Sequence, residues 1–238
     1  MTEAQWLELE MPRLLRQARE RAAPVTHAEW LVSPDALKML RSICDSVSHR
    51  KLHLFQCACC FRQWHLLSEE IRTEIKLVEL HAEDLRLPDQ SIAAEWFEWH
   101  FDQCVLRADG HRGTLCAVGQ AVFGMWSTDP VPEAEVEKQN DAARLTELRA
   151  QSEIVRDMYG TLPFHAVPID PQWLGWRDRT VEKIAQSIYA DRSFESMPIL
   201  ADALEEAGCA DPLILAHCRE KRGHVRGCWV LDLLLGKS

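Results

Sequence analysis

The spacing of apolar side chains is the feature that most constrains the fold of this 238-residue chain. Apolar residues recur at helical intervals of about three to four positions along most of the sequence. The positions between them are rich in Glu, Arg, Leu, Ala and Gln, which favour helices. Few stretches alternate apolar and polar residues as strands do. The pattern therefore predicts an all-α fold.

Capping residues and prolines indicate where the helices begin. Thr2-Glu-Ala-Gln-Trp-Leu returns as Thr26-His-Ala-Glu-Trp-Leu, and both copies fit a capping box. We predict about ten or eleven short helices in an irregular bundle that is helical-repeat-like toward the C-terminus. The predicted ranges are 3–22, 34–47, 50–66, 69–86, 89–106, 114–126, 134–158, 180–190, 198–207, 212–220 and 228–235.

Two segments lack the helical period and suggest a domain organisation. Residues 127–135, STDPVPEAE, predict a linker between an N-terminal helical unit, 1–126, and a C-terminal helical unit, 136–238. One continuous domain is the alternative. Residues 159–177 combine three prolines with large apolar side chains, which predicts an extended strap that packs in a groove.

Charge and composition narrow the compartment and the partners. The formal net charge is −10, from 37 acidic and 27 basic residues, which disfavours binding to nucleic acid. The apolar runs are far shorter than the roughly 18 residues of a membrane span. The opening MTEAQWLELE is acidic and unlike a secretory leader. We therefore expect a cytoplasmic protein whose nine cysteines are reduced.

The stretch HLFQCACCFRQWH, residues 53–65, is a cysteine-rich helix. His53, Cys57 and Cys60 share one helical face, a spacing that is compatible with metal binding. Packing of the thiols as small apolar side chains in a core is the first alternative. Thiol redox chemistry is the second, and it requires an exposed thiol whose pKa is lowered.

A second cluster occupies GCADPLILAHCREKRGHVRGCW, residues 208–229. Its five sulfur- or nitrogen-bearing side chains are those of Cys209, His217, Cys218, His224 and Cys228. Because His217 and Cys218 are neighbours on a helix and face different directions, only a subset can bind one ion. We take Cys218, His224 and Cys228, with Cys57 and Cys60, as candidate zinc ligands. Core packing of the three C-terminal cysteines remains the alternative.

The sequence contains no recognised catalytic constellation. The motifs of nucleotide-binding loops, serine hydrolases and zinc proteases do not occur. We therefore expect a non-enzymatic protein-interaction or adaptor protein with a protein partner. The competing hypothesis is a zinc-binding protein that uses the C-terminal Cys/His cluster, with a structural ion favoured over a catalytic one.

Several segments also carry a family resemblance. They are RKLHLFQCACCFRQWHLL, the T-x-A-E-W-L opening, IVRDMYGTLPFHAVPIDPQW, and the last stretch from YADRSFESMPILADALEEAG to VLDLLLGK. In these segments the chain resembles a cysteine-containing helical family of unknown function that is abundant in planctomycete bacteria. The resemblance covers about three quarters of the chain by our estimate, and it implies no activity and no ligand set.

Overall fold

A computed structural model describes residues 25–43, 47–83, 142–161, 163–165 and 167–237. These residues are helical and include no strand, so the predicted all-α fold is confirmed for this part of the chain. The nine α-helices found there are α1 (His27–Val32), α2 (Ala36–Ser42), α3 (His49–Arg62), α4 (Glu69–Glu83), α5 (Ala142–Tyr159), α6 (Pro171–Asp191), α7 (Met197–Glu206), α8 (Pro212–Cys218) and α9 (Trp229–Leu235). Single 3-10 turns follow α3 and precede α7.

Side-chain caps begin several of these helices. At α1 the Thr26 hydroxyl accepts a hydrogen bond from the Glu29 N–H, and the Glu29 carboxylate accepts one from the Thr26 N–H. This reciprocal pair confirms the capping box predicted at Thr26. The predicted helices 3–22, 89–106 and 114–126, the first copy of the box and the linker 127–135 lie outside the described residues. The total helix number and the repeat-like arrangement stay predictions.

The predicted strap, 159–177, is interrupted by the start of a helix. Residues 167–170 have no regular secondary structure, with Asp170 extended, and α6 begins at Pro171. Local contacts explain why α6 begins there. The Asp170 carboxylate accepts a hydrogen bond from the Gln172 N–H, and proline suits the first helical position. Helix α6 is interrupted at Trp176–Arg179 and is regular again from residue 180, close to the predicted start of that helix.

The chain divides into two compact units between Val155 and Arg156, within α5. In the first unit, α3 packs along α4. The Cys57 thiol donates a hydrogen bond to the Ile75 carbonyl of α4, at 3.6 Å. At the end of α3, Arg62 and Gln63 both donate hydrogen bonds to the buried Glu147 carboxylate of α5. This unit is thus held by an apolar helix face and by an ion pair between Arg62 and a buried carboxylate.

The second unit has an apolar core built by α6 to α9. Helix α6 packs on α7 and α9, and α8 packs on α7 and α9. The core side chains are those of Val181, Ala185, Ile188, Met197, Leu200, Ala201, Leu204, Ile214, Trp229, Leu231 and Leu234. The thiols of Cys209, Cys218 and Cys228 are buried in the same core. This core fixes α8 and α9, which carry part of the candidate site.

Within the described ranges, no helix has both the length and the apolar composition that crossing a membrane requires.

Truncating Leu200 should destabilise the second unit far more than truncating its neighbour Ile199. The Leu200 side chain has no exposed surface, whereas Ile199 is 59% exposed. We expect Leu200→Ala to lower the unfolding free energy by about 2 to 5 kcal/mol and Ile199→Ala by less than about 0.5 kcal/mol. Hydrogen exchange of peptides from α6 to α9 measures both changes. Equal changes would contradict the assigned core face of α7.

Candidate metal centre

Four buried side chains of the second unit bring their donor atoms to one place. They are Asp157, His217, His224 and Cys228, and one donor atom from each lies within 4.8 Å of all the others. The exposed fraction of each residue is between 0% and 7%. Among the described residues, no other group of three or more His, Cys, Asp or Glu side chains has this geometry.

The ends of two helices place Asp157 and His217. Asp157 lies in the last turn of α5, and His217 lies in the last turn of α8. Helix α8 is fixed at its start by Asp211, whose carboxylate accepts the N–H of Leu213 at 2.8 Å. Beyond its end, the Arg219 guanidinium donates to Asp202 of α7 at 3.0 Å. These contacts set where the His217 ring can lie.

The loop between α8 and α9 places the other two donors. His224 lies in this loop between Gly223 and Gly227, and Gly227 has a positive φ of 86°. Cys228 is the residue just before α9, and its carbonyl accepts the first helical hydrogen bond, from Asp232, at 2.9 Å. The loop also fixes Asp157, because the Val225 N–H donates to Asp157 Oδ2 at 2.9 Å. The sequence Gly-His-Val-Arg-Gly-Cys thus supplies two donors and a backbone support for a third.

Aromatic packing supports the His217 ring. The ring centroids of His217 and Trp229 are 5.2 Å apart, and those of His217 and His224 are 4.9 Å apart. The Trp229 indole in turn lies against Gly160, which ends α5 with φ of 52°. A Cβ atom at Gly160 would lie 2.6 Å from Trp229 Nε1. Only glycine therefore allows α5 to end this close to the indole.

The charges of the site are set by burial and by hydrogen bonds. Burial opposes ionisation of Asp157, but hydrogen bonds from His217 and His224 outweigh it and lower the pKa of Asp157 to about 2. Burial, with the nearby Asp157 charge, raises the pKa of the Cys228 thiol well above its usual range. Without a cation, Cys228 is therefore a neutral thiol beside an ionised carboxylate. A bound cation would displace the thiol proton.

The donor atoms are not arranged as those of a nucleophilic triad are. His217 Nε2 lies 3.1 Å from Cys228 Sγ and 3.3 Å from Asp157 Oδ1. In a nucleophilic triad the thiol and the carboxylate contact opposite nitrogens of the histidine. In this site one nitrogen faces both groups. The four donor atoms therefore lie around a common centre.

The separations between donors are close to those of a tetrahedral zinc site. Zinc bonds of about 2.0 to 2.3 Å place tetrahedral ligands roughly 3.3 to 3.8 Å apart. His217 Nε2 lies 3.3 Å from Asp157 Oδ1, within this range, and 3.1 Å from Cys228 Sγ, slightly below it. His224 Nδ1 lies 4.0 Å from Cys228 Sγ and 2.6 Å from Asp157 Oδ1, where it donates a hydrogen bond. To coordinate one ion, the separation of His224 Nδ1 from Asp157 Oδ1 would lengthen and its separation from Cys228 Sγ would shorten.

The structure places the sequence-predicted ligands in two different units. His224 and Cys228 belong to the cluster. Cys218 is buried in the apolar core of the same unit and is not among the four donors, and burial raises its pKa to about 12. Cys57 and Cys60 are buried in the first unit, where they pack as core side chains. No metal-binding group among the described residues contains them.

The thiols of α3 do not meet the condition for redox chemistry. Cys57, Cys59 and Cys60 are all buried. Burial raises the pKa of Cys59 and of Cys60, and the charge of Glu147 raises both further. A redox-active thiol needs exposure and a lowered pKa.

Two of the four donors were not among the predicted ligands. His217 was named in the cluster of residues 208–229, but the sequence alone does not show whether the His217 or the Cys218 side chain faces the other donors. Asp157 lies sixty positions before His217 in the printed sequence. Its only signal is local, because the acidic side chain interrupts the buried run from Ile154 to Tyr159. A buried carboxylate needs partners, and that requirement could have identified Asp157 as a site residue.

Adding a methyl group at Gly160 should disturb the packing of the Trp229 ring, which lies beside His217. In Gly160→Ala the Cβ atom would overlap the Trp229 ring at a positive φ. We expect a loss of unfolding free energy of about 1 kcal/mol or more. Gly223→Ala is the control, because nothing lies within 4 Å of its Cβ position, and it should change the free energy by less than about 0.5 kcal/mol. Urea titration measures both. Equal losses would contradict the close contact.

Acid should destabilise the metal-free protein partly through Asp157. The folded pKa of Asp157, about 2, lies below the ordinary value of 3.8. Its contribution is therefore full above the ordinary value and is lost as the pH falls toward 2. In Asp157→Asn, stability should fall less steeply between pH 4 and pH 2 than in the unaltered chain, as measured by urea titration at each pH. The exposed Asp178→Asn serves as the control, and its slope should be unchanged. Identical slopes for all three proteins would contradict the assignment.

No protein-family model, no curated protein and no solved structure matches this chain. The resemblance to a planctomycete family stays a prediction.

Proposed function

We propose that the second unit binds one zinc ion through Asp157, His217, His224 and Cys228. One observation carries the proposal, namely that four donor atoms from distant parts of the sequence converge within 4.8 Å of one another. Two imidazoles, a thiolate and a carboxylate form a donor set that zinc accepts in tetrahedral sites. The thiolate and the carboxylate also neutralise the charge of a divalent ion.

The donor types favour zinc over harder cations. Magnesium and calcium take oxygen ligands almost exclusively, and this site offers one carboxylate against one sulfur and two nitrogens. Soft and borderline ligands favour zinc among the common divalent ions, and cobalt can serve as its spectroscopic substitute.

The ion in this proposal is structural and not catalytic. A catalytic zinc keeps an open position for water or substrate, whereas a structural zinc has four protein ligands. All four donors belong to the protein, and each is buried. The ion would join the ends of α5 and α8 to the loop before α9.

A non-enzymatic role is compatible with this closed site. The interaction or adaptor function, with a protein partner, is our proposal from the sequence for the whole chain. We also propose a cytoplasmic location, which the six free cysteines among the described residues support, because a reducing compartment keeps thiols free. Recovery of one specific partner from native lysate would support the adaptor role, and recovery of none would count against it.

Removing the Cys228 sulfur should abolish tight zinc binding, whereas removing the Cys218 sulfur should not. Both thiols are fully buried in the same core, but only Cys228 faces the other donors. We expect one zinc per chain in the unaltered protein and in Cys218→Ala, and none retained in Cys228→Ala. Elemental analysis after dialysis against a weak chelator measures this. At a free zinc concentration of 100 times Kd, the ion should also stabilise the unit by about 2.7 kcal/mol.

Two further results would bear on the proposal. Substituting Cys57 and Cys60 with alanine should leave the zinc content unchanged, because neither thiol is in the cluster. Absence of zinc from the unaltered protein, together with no thermal shift on adding zinc, would overturn the proposed function.

A further inference from the structure

The second ring nitrogen of His217 faces an acidic side chain outside the donor cluster. His217 Nε2 faces the donors, while His217 Nδ1 lies 3.7 Å from Glu220 Oε2. Glu220 lies two residues after the end of α8, and its backbone N–H donates to the His217 carbonyl at 3.2 Å. The backbone thus holds the carboxylate on the side of the ring opposite the donors.

Glu220 is itself held by a basic residue of the same loop. The Arg222 guanidinium Nε donates to Glu220 Oε2, the oxygen that faces His217. The Glu220 side chain is 37% exposed and the His217 side chain only 5%. A chain of side-chain contacts therefore runs inward from the loop surface. Arg222 contacts Glu220, Glu220 faces His217, and His217 belongs to the donor cluster.

A ligating histidine needs this kind of outer partner. Metal binds a neutral imidazole at one nitrogen, so the other nitrogen carries the proton and donates it, usually to a carboxylate or a carbonyl. This contact fixes the tautomer and the ring orientation, and it makes the ligating nitrogen more basic. Glu220 is the one carboxylate of the described residues recorded within 4 Å of His217 Nδ1.

We propose that Glu220 is a positioning residue that holds His217 ready to bind the ion, with Arg222 holding Glu220. The inference rests on the proposed zinc site. On ion binding, the Nδ1–H of His217 donates to Glu220, and the separation shortens to a hydrogen-bond distance of about 2.8 Å. The same loop fixes Asp157 through the Val225 N–H. The loop therefore controls the affinity of the site as well as supplying His224.

The competing interpretation is an ordinary surface ion pair between Glu220 and Arg222. Such pairs contribute little to stability, and they do not affect a buried site. A matched pair exists in the same unit, because Arg177 donates to Glu206 at 3.0 Å on the exposed surface. Glu206 has no recorded contact with any donor of the cluster, so it provides the control.

The test compares zinc affinity in the full chain and three variants, Glu220→Ala, Glu220→Gln and Glu206→Ala. Zinc dissociation constants come from competition with a chromophoric chelator, and cobalt absorption spectra report the ligand geometry. We expect Glu220→Ala to weaken zinc binding by about 10-fold to 100-fold and to alter the cobalt spectrum. Glu220→Gln, whose amide oxygen still accepts a hydrogen bond, should recover much of the loss, and Glu206→Ala should bind zinc like the unaltered chain.

The unfolding free energies of the metal-free proteins distinguish a positioning role of Glu220 from a role in folding. If Glu220 only positions His217, the unfolding free energies of metal-free Glu220→Ala and Glu206→Ala should be alike, and the difference should appear only with the ion. Equal zinc affinity in Glu220→Ala and the unaltered chain would overturn the inference and leave the zinc site standing. A weaker affinity matched by an equal loss of metal-free stability would also overturn it. If the unaltered chain binds no zinc, the proposed function fails first.

Discussion

The structure of the second unit depends on the buried carboxylate of Asp157. An ionised carboxylate in a protein interior is strongly destabilising unless it is paired and hydrogen-bonded. Asp157 meets that condition through one hydrogen bond from the His224 ring and one from the Val225 backbone N–H, with the His217 ring beside it. These partners come from a helix and a loop remote from Asp157 in sequence. Satisfying one charge therefore determines where α8, the following loop and the end of α5 can lie.

This constraint explains why the polar cluster is small and closed. Each added polar group in the interior would need its own partner, and the surrounding positions are filled by apolar side chains of the core. Trp229 packs at the edge of this cluster, since its ring lies beside His217 and against Gly160, although its indole Nε1 is buried with no hydrogen-bond partner among the described residues. The cluster is thus sealed by packing as well as by hydrogen bonds. A cation at its centre would replace hydrogen bonds among the donors with bonds to the ion.

The sequence predicts several of the helices closely because their signals are local. Apolar spacing and capping residues placed α7 within about one residue at each end and indicated the capping box at Thr26. The strap was predicted less well, because Asp170 and Pro171 begin a helix that the other prolines obscured. The site was predicted in part, since His224 and Cys228 lie in one short loop. Asp157 was not predicted as a donor because its partners are distant in sequence. The choice between His217 and Cys218 could not be made because it depends on the rotation of α8 about its axis.

That rotation decides the chemistry of the unit. Successive residues on a helix point about 100° apart, so the turn of α8 that directs His217 to the donors directs Cys218 into the apolar core. The apolar face of α8, with Ile214 buried on it, fixes the rotation. Residues outside the cluster therefore determine which side chain of α8 joins the donors. The stability of the core and the composition of the donor set are thus two consequences of the same packing.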